Sequence, residues 1–242
     1  MRIVFVSDTH SLHNKMKYNV MDYVDSKQTN ILLHSGDCAN LGKEHEVIDF
    51  IQWFQNIKGF DDKIFIAGNH DFAFEQEPVW LMHYINEENL SQSNCVYLQD
   101  NEYIINDSEF SRPIKIYGSP WQPEFYNWAF NLKRNSFELL EKWNNIPNDT
   151  DILMTHGPSF GNLDLTPHNM RVGCELLETR LMEIKPFIHT FGHIHHSYGI
   201  IERNGIYYIN SSICNERYEP KNKPIVVDLI EKDGEFLIFL ID

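Results

Sequence analysis

The chain of 242 residues has the composition of an ordinary soluble globular protein, with 42% hydrophobic and 23% charged residues. Its formal net charge of −15 argues against a general nucleic-acid binder, because phosphate backbones are bound by Lys and Arg side chains. A nuclease or a small phosphate substrate is not excluded, since bound metal cations reverse the local field. Without a linker, repeat or low-complexity segment, residues 1–242 are predicted to form a single domain.

Four cysteines lie far apart without a Cys-x-x-Cys pair, which favours reduced, buried thiols over a disulfide framework. The first predicted strand begins at Arg2, so no signal peptide is expected before it. No apolar run approaches the ~20 residues that a membrane helix needs. We therefore expect a cytoplasmic protein without a membrane segment.

Three short apolar runs near the start, at residues 2–6, 31–34 and 64–67, are typical of strands buried in a parallel sheet. Between the second and third runs, apolar residues recur at the helical period, which predicts a helix and a right-handed βαβ crossover. These helical positions are Val47, Phe50, Ile51, Phe54 and Ile57. A second helix is predicted to open at Pro78, a favoured first helical position.

The middle of the chain predicts a second, antiparallel or mixed sheet, with short strands at residues 95–98, 102–105 and 113–117. A long ordered loop rich in aromatic residues follows, and a capping box at residues 135–138 opens another helix. The later elements are buried strands at residues 151–154 and 187–191 with a helix between them. The tail predicts an antiparallel meander over residues 197–202, 206–209, 225–229 and 236–240, with a turn at Asn204-Gly205.

Polar side chains follow five of these strands where each one ends: Asp8, His10, Asp37, Asn69, His70, His156, His193 and His195. Carboxylates, imidazoles and an amide, without a thiolate, form a ligand set for manganese, iron, zinc or a similar divalent ion. They are too many for one ion, and Asp37 could bridge two. Two metals ~3.5–4 Å apart clamp both oxygens of an in-line displacement at phosphorus and generate hydroxide near neutral pH.

Each motif also has an ordinary structural explanation. Asp8-Thr-His10 alone suits a strand-to-loop cap, Gly36-Asp37 suits a turn, and His156 alone says little. Gly68-Asn-His-Asp71, where Gly68 lets the backbone turn, and Gly192-His-Ile-His195, whose two histidines share one side of an extended segment, are more specific. The occurrence of all five in order favours a metal site.

The order of the motifs resembles the calcineurin-like metallophosphoesterase superfamily, whose series is DxH, GD, GNH[D/E], H and GHxH. Within it the chain is most similar to the small metallophosphoesterase-domain-containing phosphodiesterases. The supporting stretches include Gly118-Ser-Pro-Trp-Gln-Pro123, Thr155-His-Gly-Pro158 and Val172-Gly-Cys174. The resemblance covers nearly the whole chain.

The resemblance implies an α/β fold, a four-layer α/β/β/α sandwich of two mixed sheets, with a centre of two divalent metal ions. One ion would be held by Asp8, His10, Asp37 and His195, and the other by Asp37, Asn69, His156 and His193. Manganese is the first expectation, with iron, zinc, nickel or cobalt as alternatives. His70 would be the catalytic general acid or a stabiliser of transition-state charge, and Asn69 would also touch the phosphate. Asp71 would orient a neighbouring group that the sequence does not identify.

The implied activity is hydrolysis of cyclic nucleotides or similar small phosphodiesters by in-line attack of a hydroxide that bridges the metals. The alternatives are a phosphomonoesterase or protein phosphatase, a nuclease, and a metal-binding scaffold without activity. Protein phosphatases of the superfamily extend GD to GDxxDR, whereas this chain reads Gly36-Asp-Cys-Ala-Asn-Leu41 and lacks both added groups there. The expected partner is a small phosphodiester or nucleotide, without stable nucleic-acid or membrane binding. The oligomeric state is not predicted.

Two further sets of residues have more than one interpretation. The loop aromatics Trp121, Phe125, Tyr126 and Trp128 would line a nucleobase pocket or, as we favour, pack the loop against the body. His168 and Arg171 would bind phosphate or remain solvated. Ser11, Ser159 and His196-Ser197 depart from the related phosphodiesterases near the motifs, which affects the expected substrate preference and not the ligands.

Overall fold

Two six-stranded mixed sheets form the centre of the computed structural model, which describes residues 1–87 and 93–241. The strands are β1 (Arg2–Val6), β2 (Asn30–Ser35), β3 (Asp62–Ile66), β4 (Cys95–Tyr97), β5 (Asn101–Ile105), β6 (Ile114–Ser119), β7 (Gln122–Pro123), β8 (Asn131–Leu132), β9 (Ile152–Thr155), β10 (Ile188–Phe191), β11 (Gly199–Arg203), β12 (Ile206–Asn210), β13 (Ile225–Lys232) and β14 (Glu235–Ile241). The α-helices are α1 (Glu44–Asn56), α2 (Phe72–Gln76), α3 (Pro78–Glu87), α4 (Phe137–Asn144) and α5 (Glu175–Ile184).

The first sheet has the strand order β14-β13-β1-β2-β3-β4, in which β1 to β4 run parallel and β13 pairs antiparallel with β1. The prediction that residues 95–98 belong to the second sheet is wrong. Lys63 lies opposite Cys95 in a parallel pair, because α2 and α3 form a second crossover that returns the chain to the same sheet. The predicted α3 begins at Pro78, whereas α2 was not predicted.

The second sheet has the order β11-β12-β10-β9-β6-β5, with four parallel central strands and antiparallel edge strands. The prediction of one meander in the tail is wrong, because its two hairpins extend different sheets. The pair β11–β12 joins β10, and the pair β13–β14 joins β1. The turn at Asn204-Gly205 is confirmed, and both residues have the positive φ (55° and 79°) that a tight hairpin turn requires.

Apolar side chains fill the three spaces between four layers. The sheets pack face to face through residues such as Ile3, Phe5 and Ile64 of the first and Ile116, Ile152 and Ile188 of the second. The outer face of the first sheet packs on α1, and the outer face of the second packs on α4 and α5. The expected four-layer α/β/β/α sandwich is thereby confirmed.

Three smaller observations complete the fold. The four cysteines are buried free thiols. Within residues 1–87 and 93–241, no helix combines the length and apolar character needed to span a membrane. The N-cap of α4 is Ser136, whose side chain accepts a hydrogen bond from the backbone N–H of Leu139.

Candidate metal centre

The structure brings all eight strand-end residues to one place, where the carboxyl ends of parallel strands in both sheets meet. Strands β1, β2 and β3 are followed by Asp8, His10, Asp37, Asn69 and His70, and strands β9 and β10 by His156, His193 and His195. Their ligand atoms form three groups, each within 4.8 Å: Asp8, His10 and His195; His10, Asp37 and His70; and Asp37, His156 and His193. The groups overlap, because His10 belongs to the first and second groups and Asp37 to the second and third.

The group around Asp8 contains potential metal ligands that converge on one another. His195 Nε2 lies 3.2 Å from both Asp8 Oδ1 and His10 Nε2. Because His195 Nδ1 donates to the carbonyl of Asn215 (3.0 Å), Nε2 of the neutral ring carries a lone pair directed at the other two residues.

The group around His156 has the same organisation. His156 Nδ1 donates to the carbonyl of Ser35 (2.9 Å), so that Nε2 is the nitrogen available for a ligand. That Nε2 lies 3.0 Å from Asn69 Oδ1 and 3.4 Å from Asp37 Oδ2. Two oxygens and an imidazole nitrogen therefore meet at a buried point where only a positive charge relieves their repulsion.

The protonation equilibria show that each group attracts positive charge. Burial lowers the pKa of His156, but the Asp37 carboxylate more than reverses this effect and raises that pKa to about 9. Burial likewise lowers the pKa of His195, but the hydrogen bond and charge of Asp8 raise it overall. Metal binding displaces a proton from such a histidine. Each group therefore combines oxygen and nitrogen ligands with one histidine whose proton a divalent cation can replace.

The other two imidazoles are already in the state that a metal ligand requires. Burial is the largest cause that lowers the pKa of His10 to about 4 and that of His193 to about 3. Burial raises the pKa of Asp8, yet hydrogen bonding and charge from His195 bring it below the ordinary value. Neutral imidazoles and ionised carboxylates therefore coexist in this centre near neutral pH.

The backbone at these strand ends adopts conformations that are rare for residues other than glycine. Asp8, His10, Asp37 and His193 have φ angles of 51°, 44°, 54° and 65°. Such conformations persist only where the surrounding structure enforces them, and they concentrate at functional sites. They turn the chain sharply after each strand.

Two motif glycines are required by close approach of the candidate ligands. A Cβ at Gly68 would overlap Asp37 Oδ1, and one at Gly192 would overlap Asp8 Oδ2. The expected turn begins at Gly68, whose carbonyl accepts from the backbone N–H of Asp71 at 3.2 Å, but Gly68 has no positive φ, so the close approach of Asp37 is what requires a glycine here. A side chain at either position would occupy the space that holds a carboxylate.

The buried carboxylate of Asp71 fastens the loop after β2 to the loop after β3. It accepts hydrogen bonds from the backbone N–H groups of Cys38, Ala39 and Gly68, at 3.2, 2.8 and 2.7 Å. Burial first, and then the charge of Asp37, raises the pKa of Asp71 to about 6. The groups that Asp71 orients are therefore the loops that hold Asp37 and Asn69.

His70 is oriented by a carbonyl and by an aromatic ring. Its Nδ1 donates to the carbonyl of Asn40 (2.6 Å), and its ring stacks on Trp128 with centroids 4.0 Å apart. Its Nε2 lies 4.0 Å from Asp37 Oδ2. The backbone of Asn40 thus makes the contact expected of the Asp side chain in a GDxxDR motif.

A cavity of about 250 Å³ opens above His70 and Asp37 and is lined in part by Tyr218, which the sequence interpretation missed. The Tyr218 ring lies 4.8 Å from that of His10 and 5.3 Å from that of His195. Ser212 was also missed, although its hydroxyl donates to Asp8 Oδ2 (3.0 Å). The available signal was the polar run 210–212 at the carboxyl end of β12, which is parallel to β10.

The remaining candidates divide between the cavity and the framework. Phe125 lines the cavity, whereas the Trp121 indole donates to Asp100 (2.8 Å) and packs the loop as we favoured. Arg171 pairs with the buried carboxylate of Asp164 at 2.6 Å, and its side chain is 42% exposed, so the guanidinium is both ion-paired and solvated. His196, one of the residues that differ from the related phosphodiesterases, pairs with Glu216 at the cavity rim.

A four-layer sandwich with Asp, His and Asn side chains gathered where its two sheets meet defines a metal-dependent phosphoesterase. The family model described as calcineurin-like phosphoesterase matches residues 1–197, and the chain belongs to that family of phosphoric ester hydrolases. The chain is similar to human metallophosphoesterase domain-containing protein 1, with 44% identity over 94% of this chain and 71% of the relative.

Two solved structures share the fold at low sequence identity. One is the phosphopantetheinyl hydrolase PptH from Mycobacterium tuberculosis, with a TM-score of 0.53 and 14% identity over 89% of this chain and 90% of that chain. The other is GAP50, described as the anchor in the inner membrane complex of Plasmodium, with a TM-score of 0.58 and 10% identity over 100% and 84%. These likenesses concern the fold alone.

Proposed function

We propose that the chain hydrolyses small phosphodiesters, with cyclic nucleotides as the first candidates. The observation that carries this proposal is the set of three overlapping ligand groups, in which Asp37 belongs both to the group with His10 and His70 and to the group with His156 and His193, at the floor of a cavity. Such a pair suits displacement at phosphorus, where attacking and leaving oxygens both need stabilisation.

The lining of the cavity supports a diester over a monoester. None of the described residues that line it is Lys or Arg, and Leu41 stands where protein phosphatases have the phosphate-binding Arg of GDxxDR. A monoester carries up to two negative charges and favours a guanidinium partner, whereas a diester carries one. The exposed carboxylate of Glu216 at the rim also disfavours the more highly charged substrate.

The residues present fit two divalent ions, one held by Asp8, His10, Asp37 and His195 and the other by Asp37, Asn69, His156 and His193. We propose manganese first, because carboxylate, amide and imidazole ligands without thiolate suit it. When bound, the two ions supply Lewis-acid activation of water and neutralise charge that develops on the phosphoryl oxygens.

Protein side chains account for the other two requirements of the reaction, protonation of the leaving oxygen and binding of the phosphate. Because Nδ1 of His70 is committed to Asn40, its Nε2 is the atom that donates a proton to the leaving oxygen. The stacked Trp128 ring restricts rotation of the imidazole. Asn69 directs Oδ1 toward His156, which leaves its Nδ2 protons available for a phosphoryl oxygen.

Three wider expectations remain parts of this proposal. The four buried free thiols are consistent with a reducing, cytoplasmic location. The net charge of −15 supports a small phosphodiester or nucleotide as partner, without stable nucleic-acid binding. We also propose that residues 1–242 act as one domain.

The test compares bis-p-nitrophenyl phosphate with p-nitrophenyl phosphate as substrates of the purified protein in Mn²⁺. We expect a higher kcat/KM for the diester, and no turnover of either after chelation and desalting. The reverse preference would overturn the diesterase proposal in favour of a phosphomonoesterase. Repetition with iron, zinc, nickel and cobalt identifies the metal that supports the fastest turnover.

A further inference from the structure

A second cavity, of about 310 Å³, adjoins the cavity above the candidate metal centre. The two share four lining residues, namely Phe125, Thr166, His193 and Ile194. A phosphodiester bound at the metal centre therefore has space for one of its organic groups next to the phosphorus. The volume lies at the lower end of the range for small-molecule sites.

The wall of this second cavity contains a buried polar atom without a partner. Gln122 is only 2% exposed and lines the cavity, and its Oε1 accepts no hydrogen bond from any residue in the described ranges 1–87 and 93–241. Buried amide oxygens are normally paired, because an unpaired one loses its hydration without compensation. An unpaired acceptor at a cavity wall is therefore a place for a ligand's donor.

The hydrogen-bond network fixes which atom of the Gln122 amide is unpaired. Asn131 uses its Nδ2 to donate to the carbonyls of Phe125 and Tyr126, at 3.2 and 2.9 Å. Asn131 Oδ1 must then be an acceptor, and it accepts from Gln122 Nε2 at 3.3 Å. A flipped Gln122 amide would place two oxygens against each other, so Oε1 is the unpaired atom.

The surroundings of Gln122 Oε1 indicate the chemistry of the occupant. Gly157 also lines the cavity and leaves room beside this oxygen, because a Cβ added at Gly157 would lie 3.6 Å from Oε1, an ordinary contact distance. Pro123, Pro158 and Val172 make the lining largely apolar. The one cation there, Arg134, is bound to Glu175 and to the carbonyls of Val172 and Gly173, which argues against an anionic occupant.

We propose that the second cavity binds a neutral heteroaromatic ring of the substrate, a nucleobase with an exocyclic amine, and that Gln122 determines specificity by accepting the amine N–H. This proposal rests on the proposed phosphodiesterase function and names the organic group of its substrate. The prolines and Phe125 line the cavity with apolar surface for such a ring, and the amine would satisfy the otherwise unpaired oxygen.

The first experiment measures binding without chemistry. The two probes are adenosine and purine riboside, which lacks the exocyclic amine. Neither contains a phosphate ester that could be hydrolysed. Their Kd values for the Mn²⁺-loaded protein are measured by calorimetry or NMR titration. We expect adenosine to bind about tenfold more tightly, as one hydrogen bond allows, and Gln122→Leu to abolish that ratio. The exposed helix variant Gln52→Leu is the control and should retain the ratio.

Equal binding of the two nucleosides, no binding of either, or a ratio that survives Gln122→Leu would overturn the proposal. Because Gln122→Leu also removes the bond to Asn131, Val172→Phe provides a second variant that fills the cavity and should weaken adenosine binding at least tenfold. Melting temperatures confirm that both variants are folded.

The second experiment separates this proposal from the proposed function. It compares kcat/KM for 2′,3′-cyclic AMP and for bis-p-nitrophenyl phosphate, and we expect Gln122→Leu to lower the ratio of the first to the second about tenfold. If diesters are hydrolysed while adenosine and purine riboside bind equally, only the subsite fails. If adenosine binding depends on Gln122 while no diester is hydrolysed, only the phosphodiesterase proposal fails.

Discussion

The two sheets make different chemical contributions to the same centre. The first sheet supplies every carboxylate, together with an amide and two imidazoles: Asp8, Asp37, Asn69, His10 and His70. The second sheet supplies imidazoles alone: His156, His193 and His195. The negative charge therefore comes from one sheet, and the opposite wall is made of neutral or protonated nitrogen donors.

Each half is nevertheless oriented by the other. Asp8, from the first sheet, accepts the backbone N–H of His193 (3.0 Å) and the Ser212 hydroxyl (3.0 Å), which both belong to the second. His156, from the second sheet, donates to the carbonyl of Ser35 in the first (2.9 Å). The centre therefore forms only when the two sheets pack together, so its metal affinity is coupled to folding.

The largest effect is expected for Asp37→Asn, which removes the carboxylate that we propose to bind both metal ions. Turnover should fall by more than about 10³-fold, because several kcal/mol of charge stabilisation depend on both metals. Metal content, measured by elemental analysis, should fall below that of His193→Asn, which removes a neutral ligand of one group.

Asp149→Asn is the control for Asp37→Asn, since its exposed carboxylate pairs with Lys115 at the amino end of β9. It should keep full activity and metal content. If Asp37→Asn and His193→Asn lost the same amount of metal, the carboxylates of the first sheet would contribute no more to metal binding than the neutral imidazoles of the second.

The second effect concerns His70, which comes from the first sheet but is proposed to act on the leaving oxygen. His70→Ala should lower kcat by about 10²–10³-fold, the contribution of a general acid, with both metals still bound. The exposed α1 variant His45→Ala should behave as wild type. A collapse of metal content in His70→Ala would show that His70 is a ligand instead.

Much of this centre and fold is predictable from sequence, because buried parallel strands have a local signature. Continuous apolar runs that end on Asp8, Asp37 or His156 identify both the strands and the edge where their ends meet. The outer helices follow from their period of 3.6 residues. Neither inference requires knowledge of which strands are neighbours.

What failed depends on long-range pairing. The sequences of β4 and of the tail hairpins show strands without showing which sheet they join, since pairing is decided by crossovers and available edges. Ser212 and Tyr218 were missed for the same reason. They become visible only when β12 is known to lie parallel to β10, with its carboxyl end at the centre.

A smaller effect is expected from the hydroxyls that hold Asp8. Ser7 from the first sheet and Ser212 from the second both donate to Asp8 Oδ2, at 2.6 and 3.0 Å. Ser212→Ala should weaken metal affinity by about 10-fold to 100-fold, the usual effect of losing a group that orients a ligand. Metal titration with a competing chelator measures this change.

Ser7→Ala is the matched variant within the first sheet, and exposed Ser108→Ala is the control. Similar losses for Ser7→Ala and Ser212→Ala would support mutual orientation across the sheets. A loss for Ser7→Ala alone would mean that the first sheet positions its own carboxylate.

The smallest effect lies behind the centre, where each half buries a histidine that is bonded to a threonine. His34 Nε2 contacts Thr9 Oγ1 (3.0 Å), and His189 Nε2 contacts Thr155 Oγ1 (2.8 Å). The Nδ1 atom of each ring has no hydrogen-bond partner in the part of the chain that the structure describes. Burial is the main cause that lowers both pKa values to about 3. Both rings are therefore neutral in the folded protein.

These depressed pKa values determine the sign of a pH effect on stability. The unfolded chain binds a proton at each histidine below about pH 6.5, whereas the folded protein does not until about pH 3. Each neutral ring therefore contributes stability fully above pH 6.5, and this contribution falls by about 1.4 kcal/mol per pH unit as pH decreases toward 3. His189→Gln and His34→Gln should each remove one such slope.

Urea unfolding of the metal-free protein between pH 7 and pH 5 measures this slope without interference from metal release. The difference in unfolding free energy between wild type and each variant should shrink as the pH falls, while exposed His45→Gln should give a constant difference. A slope removed by His34→Gln alone would confine the acid sensitivity to the first sheet. Equal slopes would place it in both, because the two halves bury the same imidazole–hydroxyl pair beneath chemically different ligands.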